Sequence, residues 1–330
     1  MSLLIRISVT AMLAMMLALP AARADDVTLR LAGTLPADHF GSKVLEEMIA
    51  EIENADVGVT IQYFPAGQLG SGEELFDDAR FGNVDLVHAT VYAQADKRLE
   101  LLSLPFLIPT VEDVRNTVGN PESEYNKIIA EILADHGIQH LATIGEGLIG
   151  MVATQMPADV HGTGNQKMNI RVWSSQIVKE TMETLGYQTT TMNWAEVFPA
   201  LQAGTIDGAI CCTPEWAYTT FAASDVGNTY VDYNAFVEIQ EIYASGATWK
   251  KLTDEQQKVI QDAAASAAAA IIDKSMERSV DFIAQLREKN WEIVEFSAAE
   301  RAAIREKVVE EVWPSLSANI GQDLVDRLMK

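Results

Sequence analysis

The chain has 330 residues, with 24 Lys and Arg against 47 Asp and Glu, a formal net charge of −23. Hydrophobic residues make up 48% and aromatic residues 7%, which supports a packed core and excludes a disordered chain. So acidic a surface excludes nucleic acid as a partner, and the length suggests two domains.

Residues 1–24 read as a secretory signal peptide. Arg6 supplies a positive n-region, Ile7 to Leu19 is an apolar stretch of 13 residues, and Ala22-Arg23-Ala24 is a small-x-small cleavage site. Thirteen residues are too few to span a bilayer. Cleavage after Ala24 predicts a periplasmic mature chain, free of the membrane. Losing Arg6 and Arg23 leaves 22 basic against 47 acidic residues, a net of −25. Such a charge requires a local cationic spot wherever an anion is to bind. Cys211 and Cys212 are the two cysteines. Neighbouring Cα atoms lie closer than a disulfide prefers, so no disulfide is expected despite the oxidising compartment.

In the mature chain, Val27 to Ala32 alternates and predicts a strand. Phe40 to Asn54 predicts a helix with Val44, Leu45, Met48, Ile49 and Ile52 on one side. A strand over Val57 to Phe64, a helix over Ser71 to Phe81 and a strand over Val84 to Ala89 follow. This alternation predicts a largely parallel sheet with helices on its faces. A second α/β stretch runs from about Leu141 to Tyr230. It holds a strand at Met168 to Trp173, a helix from Gln176 to Leu185 closed by Gly186, a helix at Trp194 to Ala203 and a strand at Ile206 to Cys211. Beyond it the chain reads as mainly helical. Thr253 with Gln256, and Ser297 with Glu300, form capping boxes. The alanine-rich run Ala263 to Ile272 belongs to one long helix, about Asp254 to Lys289.

The two α/β stretches echo each other. Glu74-Leu75-Phe76 leads after five residues to Gly82-Asn83-Val84-Asp85; Glu196-Val197-Phe198 leads after five to Gly204-Thr205-Ile206-Asp207. Ser71 and Asn193 precede these glutamates as helix caps. Two similar lobes facing each other would enclose a ligand between the C-terminal ends of their strands.

Few motifs carry chemistry. Gly145-x-Gly147-x-x-Gly150 has dinucleotide spelling, but β-like residues follow it where a helix should open. These glycines read better as a flexible crossing between lobes. The five histidines, His39, His88, His136, His140 and His161, form no metal set. No nucleophile elbow, phosphate loop or Cys–His pair is present, and no cofactor is expected. Arg171 stands out. It lies in the short strand Met168-Asn169-Ile170-Arg171-Val172-Trp173, where a guanidinium is costly unless paired. Its donor fork matches a carboxylate, although a structural ion pair would explain it equally well. Trp173, Trp194 and Trp216 fall near element ends and are either pocket walls or core.

Taken together these segments resemble the DctP-type substrate-binding subunits of tripartite ATP-independent periplasmic (TRAP) transporters, over nearly all of the mature chain. The marks are Phe64-Pro65-Ala66-Gly67-Gln68-Leu69-Gly70, Gly82-Asn83-Val84-Asp85, Leu104-Pro105-Phe106-Leu107, Ile170-Arg171-Val172, the run from Glu196 to Gly208, and Trp249-Lys250-Lys251-Leu252. The resemblance implies a two-lobed periplasmic binding-protein fold with a long helix spanning both lobes. Residues 25–148 plus about 237–276 would form one lobe, and about 149–236 plus 277–330 the other. It implies capture of a small organic acid, carboxylate or zwitterion, by lobe closure. It also implies delivery to the small and large TRAP membrane subunits by a monomer that is no enzyme. On this resemblance Arg171 is the carboxylate clamp, Trp194 an aromatic wall, Cys211 a contact where many members carry asparagine, and Thr90 a contact at a strand end. Tyr92, His39, Trp173 and Trp216 are further candidates, and Glu146 is a candidate partner for a ligand ammonium. The sequence departs from the pattern at Leu148-Ile149-Gly150-Met151, where many members carry a second arginine, and at Thr189, where proline is usual. An exported hydrolase or lyase is the rival reading, but the sequence supplies no catalytic set for it. A binding subunit serving a sensor is a third.

Overall fold

A computed structural model of the chain describes residues 26–108 and 110–328, so the signal-peptide reading of residues 1–24 lies outside the described residues. The described residues open with β1 (Val27–Gly33), α1 (Phe40–Asn54) and β2 (Val59–Phe64). The apolar side of α1 buries Val44, Leu45, Met48 and Ile52, as its spacing requires. Next come α2 (Gly72–Phe81) and β3 (Leu86–Ala89). Ser71 and Glu74 close a capping box on α2, and Gly82, at φ +77, ends it. A short 3-10 turn over Lys97–Ser103, α3 (Val111–Thr117) and α4 (Glu124–Asp135) lead into the 16-residue β4 (Ile138–Ala153).

The second half repeats the plan with β5 (Asn169–Val172), α5 (Gln176–Thr184), β6 (Gln188–Thr191), α6 (Trp194–Gln202) and β7 (Gly208–Cys212). The short α7 (Pro214–Trp216) precedes the 17-residue β8 (Thr229–Ser245). Then follow α8 (Gly246–Trp249), the 35-residue α9 (Asp254–Glu288), β9 (Glu292–Val294), α10 (Ala298–Ile320) and α11 (Gln322–Leu328). Among the described residues no helix is long and apolar enough to cross a membrane.

The strands form one sheet in the order β2-β1-β3-β8-β4-β7-β5-β6, with β9 beside β8. Each half holds a parallel trio, β1 between β2 and β3, and β5 between β6 and β7. Between the trios run β4 and β8, antiparallel to each other and to β7 and β3. The expected parallel sheet is therefore confined to each half. Helix-linked strands run parallel within a lobe, whereas a chain that leaves a lobe and returns must cross in opposite directions.

The sequence echo is also a structural one. The carboxylate of Asp85 accepts the backbone N–H of Arg30 on β1 at 2.9 Å, and that of Asp207 accepts Asn169 N–H on β5 at 2.8 Å. Both aspartates follow a helix ended by a left-handed glycine, Gly82 at φ +77 and Gly204 at φ +69. The glycines of β4 sit in the crossing. The register with β8 shifts between Gly145 and Gly147 and between Ile149 and Met151. Gly150 makes room for the Tyr230 ring, which a Cβ would overlap. The alanines of α9 are close-packing contacts: Ala263, Ala264, Ala267 and Ala268 are buried with Leu45 of α1 and Ile144 of β4 in one core cluster.

Cys211 and Cys212, expected as free thiols, are joined in a disulfide. Their Cα atoms are 3.7 Å apart, as neighbours must be. In a regular strand their side chains would point to opposite faces. Here the β4–β7 register shifts: Met151 faces Ile210 and Gly150 faces Cys212, leaving Cys211 as an extra residue in a bulge. A bulge breaks the alternation, so both sulfurs reach one side.

Candidate functional site

A cavity of about 520 Å³ opens beyond the C-terminal ends of β1, β3, β5 and β7. That size suits a small molecule, and the location is where open α/β sheets place ligands. Thr34, Thr90 and Tyr92 line it from the first half, Arg171, Trp173, Trp194, Cys211 and Trp216 from the second, and Val237 to Gln240 from β8. The turn after β2 supplies Ala66 and Gly67, both left-handed. Their N–H groups donate to Leu35 and Gly33 carbonyls at 2.8 and 2.9 Å, which folds the segment against the cavity rim.

Arg171 sits in β5, paired with Ala209 on one side and Thr190 on the other. It is only 3% exposed. Its Nε donates to the Met192 carbonyl at 3.0 Å, and its guanidinium carbon lies 5.9 Å from the Trp194 ring centre. Among the described residues no carboxylate hydrogen-bonds to it or forms an ion pair with it. Burial lowers its pKa, while Tyr92, Glu238 and Glu73 oppose that shift; an arginine so placed stays charged. One edge of the fork is thus fixed by backbone and the remaining donors face the cavity.

Two of the aromatic walls, Trp173 and Trp216, are held by hydrogen bonds at their edges. Trp173 Nε1 donates to Ser103 Oγ at 3.0 Å. Trp194 meets Trp216 edge to face, 5.3 Å between centres. Trp216 Nε1 donates to Glu146 Oε2 at 2.8 Å, and its ring lies 5.3 Å from that of His39. These anchors fix large flat side chains that would otherwise rotate. Farther from the cavity, Glu100 ties the halves together at the start of α5. Its Oε1 accepts Gln176 N–H at 2.7 Å, while Oε2 accepts Ile177 N–H at 3.3 Å and the Ser175 hydroxyl.

Arg171, Trp194, Cys211, Thr90, Tyr92, Trp173 and Trp216 are thus brought together around one space. His39 and Glu146 are not on that lining. Glu146 is buried behind Trp216 and holds its indole, so it stands away from the place expected for a ligand ammonium. His39 caps α1 through Nδ1, which accepts Gly41 N–H at 3.1 Å, and its Nε2 lies 3.9 Å from Glu215. Glu215 in turn takes two hydrogen bonds from Arg278, at 2.7 and 3.0 Å.

Among the polar residues on the lining that sequence reasoning missed are Glu73, Glu238 and Gln240. Glu238 carried a usable signal. It lies in Phe236-Val237-Glu238-Ile239, and an ionisable group in so apolar a strand raises the question that singled out Arg171. Glu73 carried none, because an acid in the first turn of a helix is explained by the macrodipole alone.

Among the described residues the cavity brings one cation without an ion-pair partner, Arg171, to an aromatic enclosure, an arrangement suited to a small anion. Among the described residues no three metal-ligating side chains cluster. A family model for bacterial extracellular solute-binding protein family 7, DctP, matches residues 32–318. The chain is 30% identical over 226 residues to the uncharacterized protein YiiZ of Salmonella typhimurium; the match covers 66% of this chain and 65% of that protein. It is 22% identical over 284 residues to the ectoine-binding periplasmic protein TeaA of Halomonas elongata, covering 81% of this chain and 79% of TeaA. A TRAP periplasmic solute-binding protein from Desulfovibrio salexigens, solved with bound orotic acid, has the same fold, with a TM-score of 0.81 and 18% identity over 92% of this chain and 97% of that one. With most of its length matched to one family model and its two-lobed α/β fold shared with a TRAP binding protein, the chain belongs to the DctP family of bacterial extracellular solute-binding proteins, a family of binding proteins and not of enzymes.

Proposed function

We propose that the protein captures a small organic acid in the cleft between its halves, with Arg171 on the carboxylate, and hands it to the membrane subunits of a TRAP permease. The observation that carries this reading is a buried guanidinium on the lining of a cavity, with no carboxylate among the described residues hydrogen-bonded to it or ion-paired with it. A desolvated arginine without an anion is costly, and a ligand carboxylate removes that cost through a bidentate pair. Ectoine in the name of TeaA and orotic acid in the structural neighbour support a small acid.

Lobe boundaries follow the same logic. Residues 25–148 with about 237–276 carry β1 to β3, and about 149–236 with 277–330 carry β5 to β7. The chain crosses at the irregular stretch of β4 and again near Val237 of β8. Bending there closes one trio on the other, excludes water and strengthens the Arg171 pair. Trp194, Trp173 and Tyr92 then cover the apolar part of the ligand, while Thr90 and the Cys211 ring complete the walls.

The test is calorimetry on a ligand found by thermal-shift screening of small acids. Arg171→Ala should weaken binding by about 3–5 kcal/mol, because a desolvated anion is left without its partner. Arg171→Lys should also bind weakly, since a point charge does not replace the fork. Near-wild-type affinity in Arg171→Ala would refute the clamp.

A further inference from the structure

Arg171 is the only Lys or Arg among the described residues that line the cavity, yet three glutamates share the lining: Glu73, Glu74 and Glu238. Glu74 is accounted for, since its carboxylate accepts Ser71 N–H at 2.8 Å in the capping box. Glu73 and Glu238 form no ion pair with any described residue. Both sense Arg171 electrostatically, so the poles share one space. A further acceptor stands beside them. Gln240 is only 2% exposed and lines the cavity, and its Oε1 has no hydrogen-bond donor. It stands two residues from Glu238 on the same side of β8, and its amide favours the charged form of that carboxyl. A buried acceptor left unpaired is costly, and a ligand that brings an N–H group or a positive charge relieves it.

A simple carboxylate would satisfy Arg171 and leave two glutamates and an amide oxygen facing its apolar part. We infer that the ligand is a zwitterion, with its carboxylate on Arg171 and its cationic end held by Glu73, Glu238 and Gln240 among the aromatic rings. This deepens the proposed function and rests on it. The rings of Tyr92, Trp173, Trp194 and Trp216 suit a cation with a diffuse or alkylated charge, because an aromatic face attracts a cation and buries the carbon around it. Glu238 adds a consequence. Burial first, and then the like charge of Glu146, push its carboxyl well above the usual range, against the pull of Arg171. A bound cation reverses that balance and lets Glu238 ionise.

The test uses pairs of acids that differ by a charged nitrogen against a carbon: trimethylglycine with tert-butylacetate, proline with cyclopentanecarboxylate, and pipecolate with cyclohexanecarboxylate. Affinities are measured by calorimetry, with thermal shift as a second readout. The wild-type protein should prefer the zwitterion in at least one pair by about tenfold or more, the scale of a charge-assisted hydrogen bond. The isosteric double variant E73Q/E238Q should lose that preference while still binding the carbon analogue, and its unliganded melting temperature reports that it has folded. No preference in any pair, or a preference that survives the double variant, would overturn the inference. Failure of the underlying reading has a different signature: Arg171→Ala would bind acids of both kinds as the wild type does. If Arg171→Ala abolishes binding while the pairs show no preference, the acid clamp stands and the zwitterion falls.

Discussion

Arg171 and Glu238 illustrate what one residue can disclose. Both are ionisable groups within apolar strand segments, and burying either costs several kcal/mol without a partner. The arginine was legible because its segment ends at a helix start, where ligand crevices form. Glu238 carries the same signal of a charge in an apolar segment, but it lies mid-way along a strand whose length and crossing were not apparent, so that signal could not be tied to the cleft. His88 is a third such residue. It is fully buried in β3, and neither ring nitrogen has a hydrogen-bond partner. Burial, and then the nearby His39, lower its pKa to about 3. A histidine lowered in this way contributes stability above its unfolded value of about 6.5, lost as pH falls toward the folded value. Between those limits the wild-type protein should lose about 1.4 kcal/mol per pH unit relative to His88→Gln, which cannot titrate. Urea denaturation of both proteins across pH 4 to 7 checks this; parallel profiles would assign the acid sensitivity elsewhere.

At the scale of elements, local chemistry set the bounds of the helices that the sequence marks with caps almost residue by residue. α1 spans the predicted range, and the boxes at Thr253 and Ser297 start α9 and α10 where the sequence places them. Such signals are local because a helix satisfies its own backbone and its ends need only a nearby cap. Strand ends were less legible: β2 begins at Val59 and not Val57, and β7 runs from Gly208 to Cys212. A strand ends where its neighbours stop pairing, which is not a local property. The disulfide escaped for the same reason, since the bulge that permits it is a relation between β7 and β4. The helix-ending glycines give a graded prediction. Gly204, at φ +69, has open space where a methyl group would stand, whereas Gly186, at φ +90, faces the Gly164 carbonyl so closely that a Cβ would overlap it. Gly204→Ala should cost about 1 kcal/mol from the left-handed backbone alone. Gly186→Ala should cost roughly 3 kcal/mol or more, because strain and overlap combine. Equal losses in denaturant titrations would contradict this account of α5.

For the molecule as a whole, charge and topology dominate. The chain carries 24 basic against 47 acidic residues, so its compact state repels itself. Buried acids act in the same direction. Burial raises the pKa values of Glu146, Glu238 and Glu241, with Glu241 drawn back by His140 and Thr143. A carboxyl raised above its unfolded value makes folding take up a proton. That contribution is full below about pH 4.3 and declines as pH rises through the folded value. At pH 8, therefore, the melting temperature should rise on going from low salt to about 0.5 M sodium chloride, as the repulsion is screened. A melting temperature unchanged or lowered by salt would show that self-repulsion is not a significant term.

The family, the helices, the doubled α/β plan and the arginine were all written in the linear chain, because each rests on short-range chemistry: caps, periodicity, and a charge where none is tolerated without a purpose. Which side chains meet was settled by the folded arrangement. It set Glu146 behind Trp216 and off the cavity lining, joined Cys211 to Cys212, and brought Glu73, Glu238 and Gln240 around the space that Arg171 lines. These are contacts between segments far apart in the chain or in the register of neighbouring strands, fixed by the crossing of β4 and β8, and no local pattern encodes the direction in which two long strands carry their side chains.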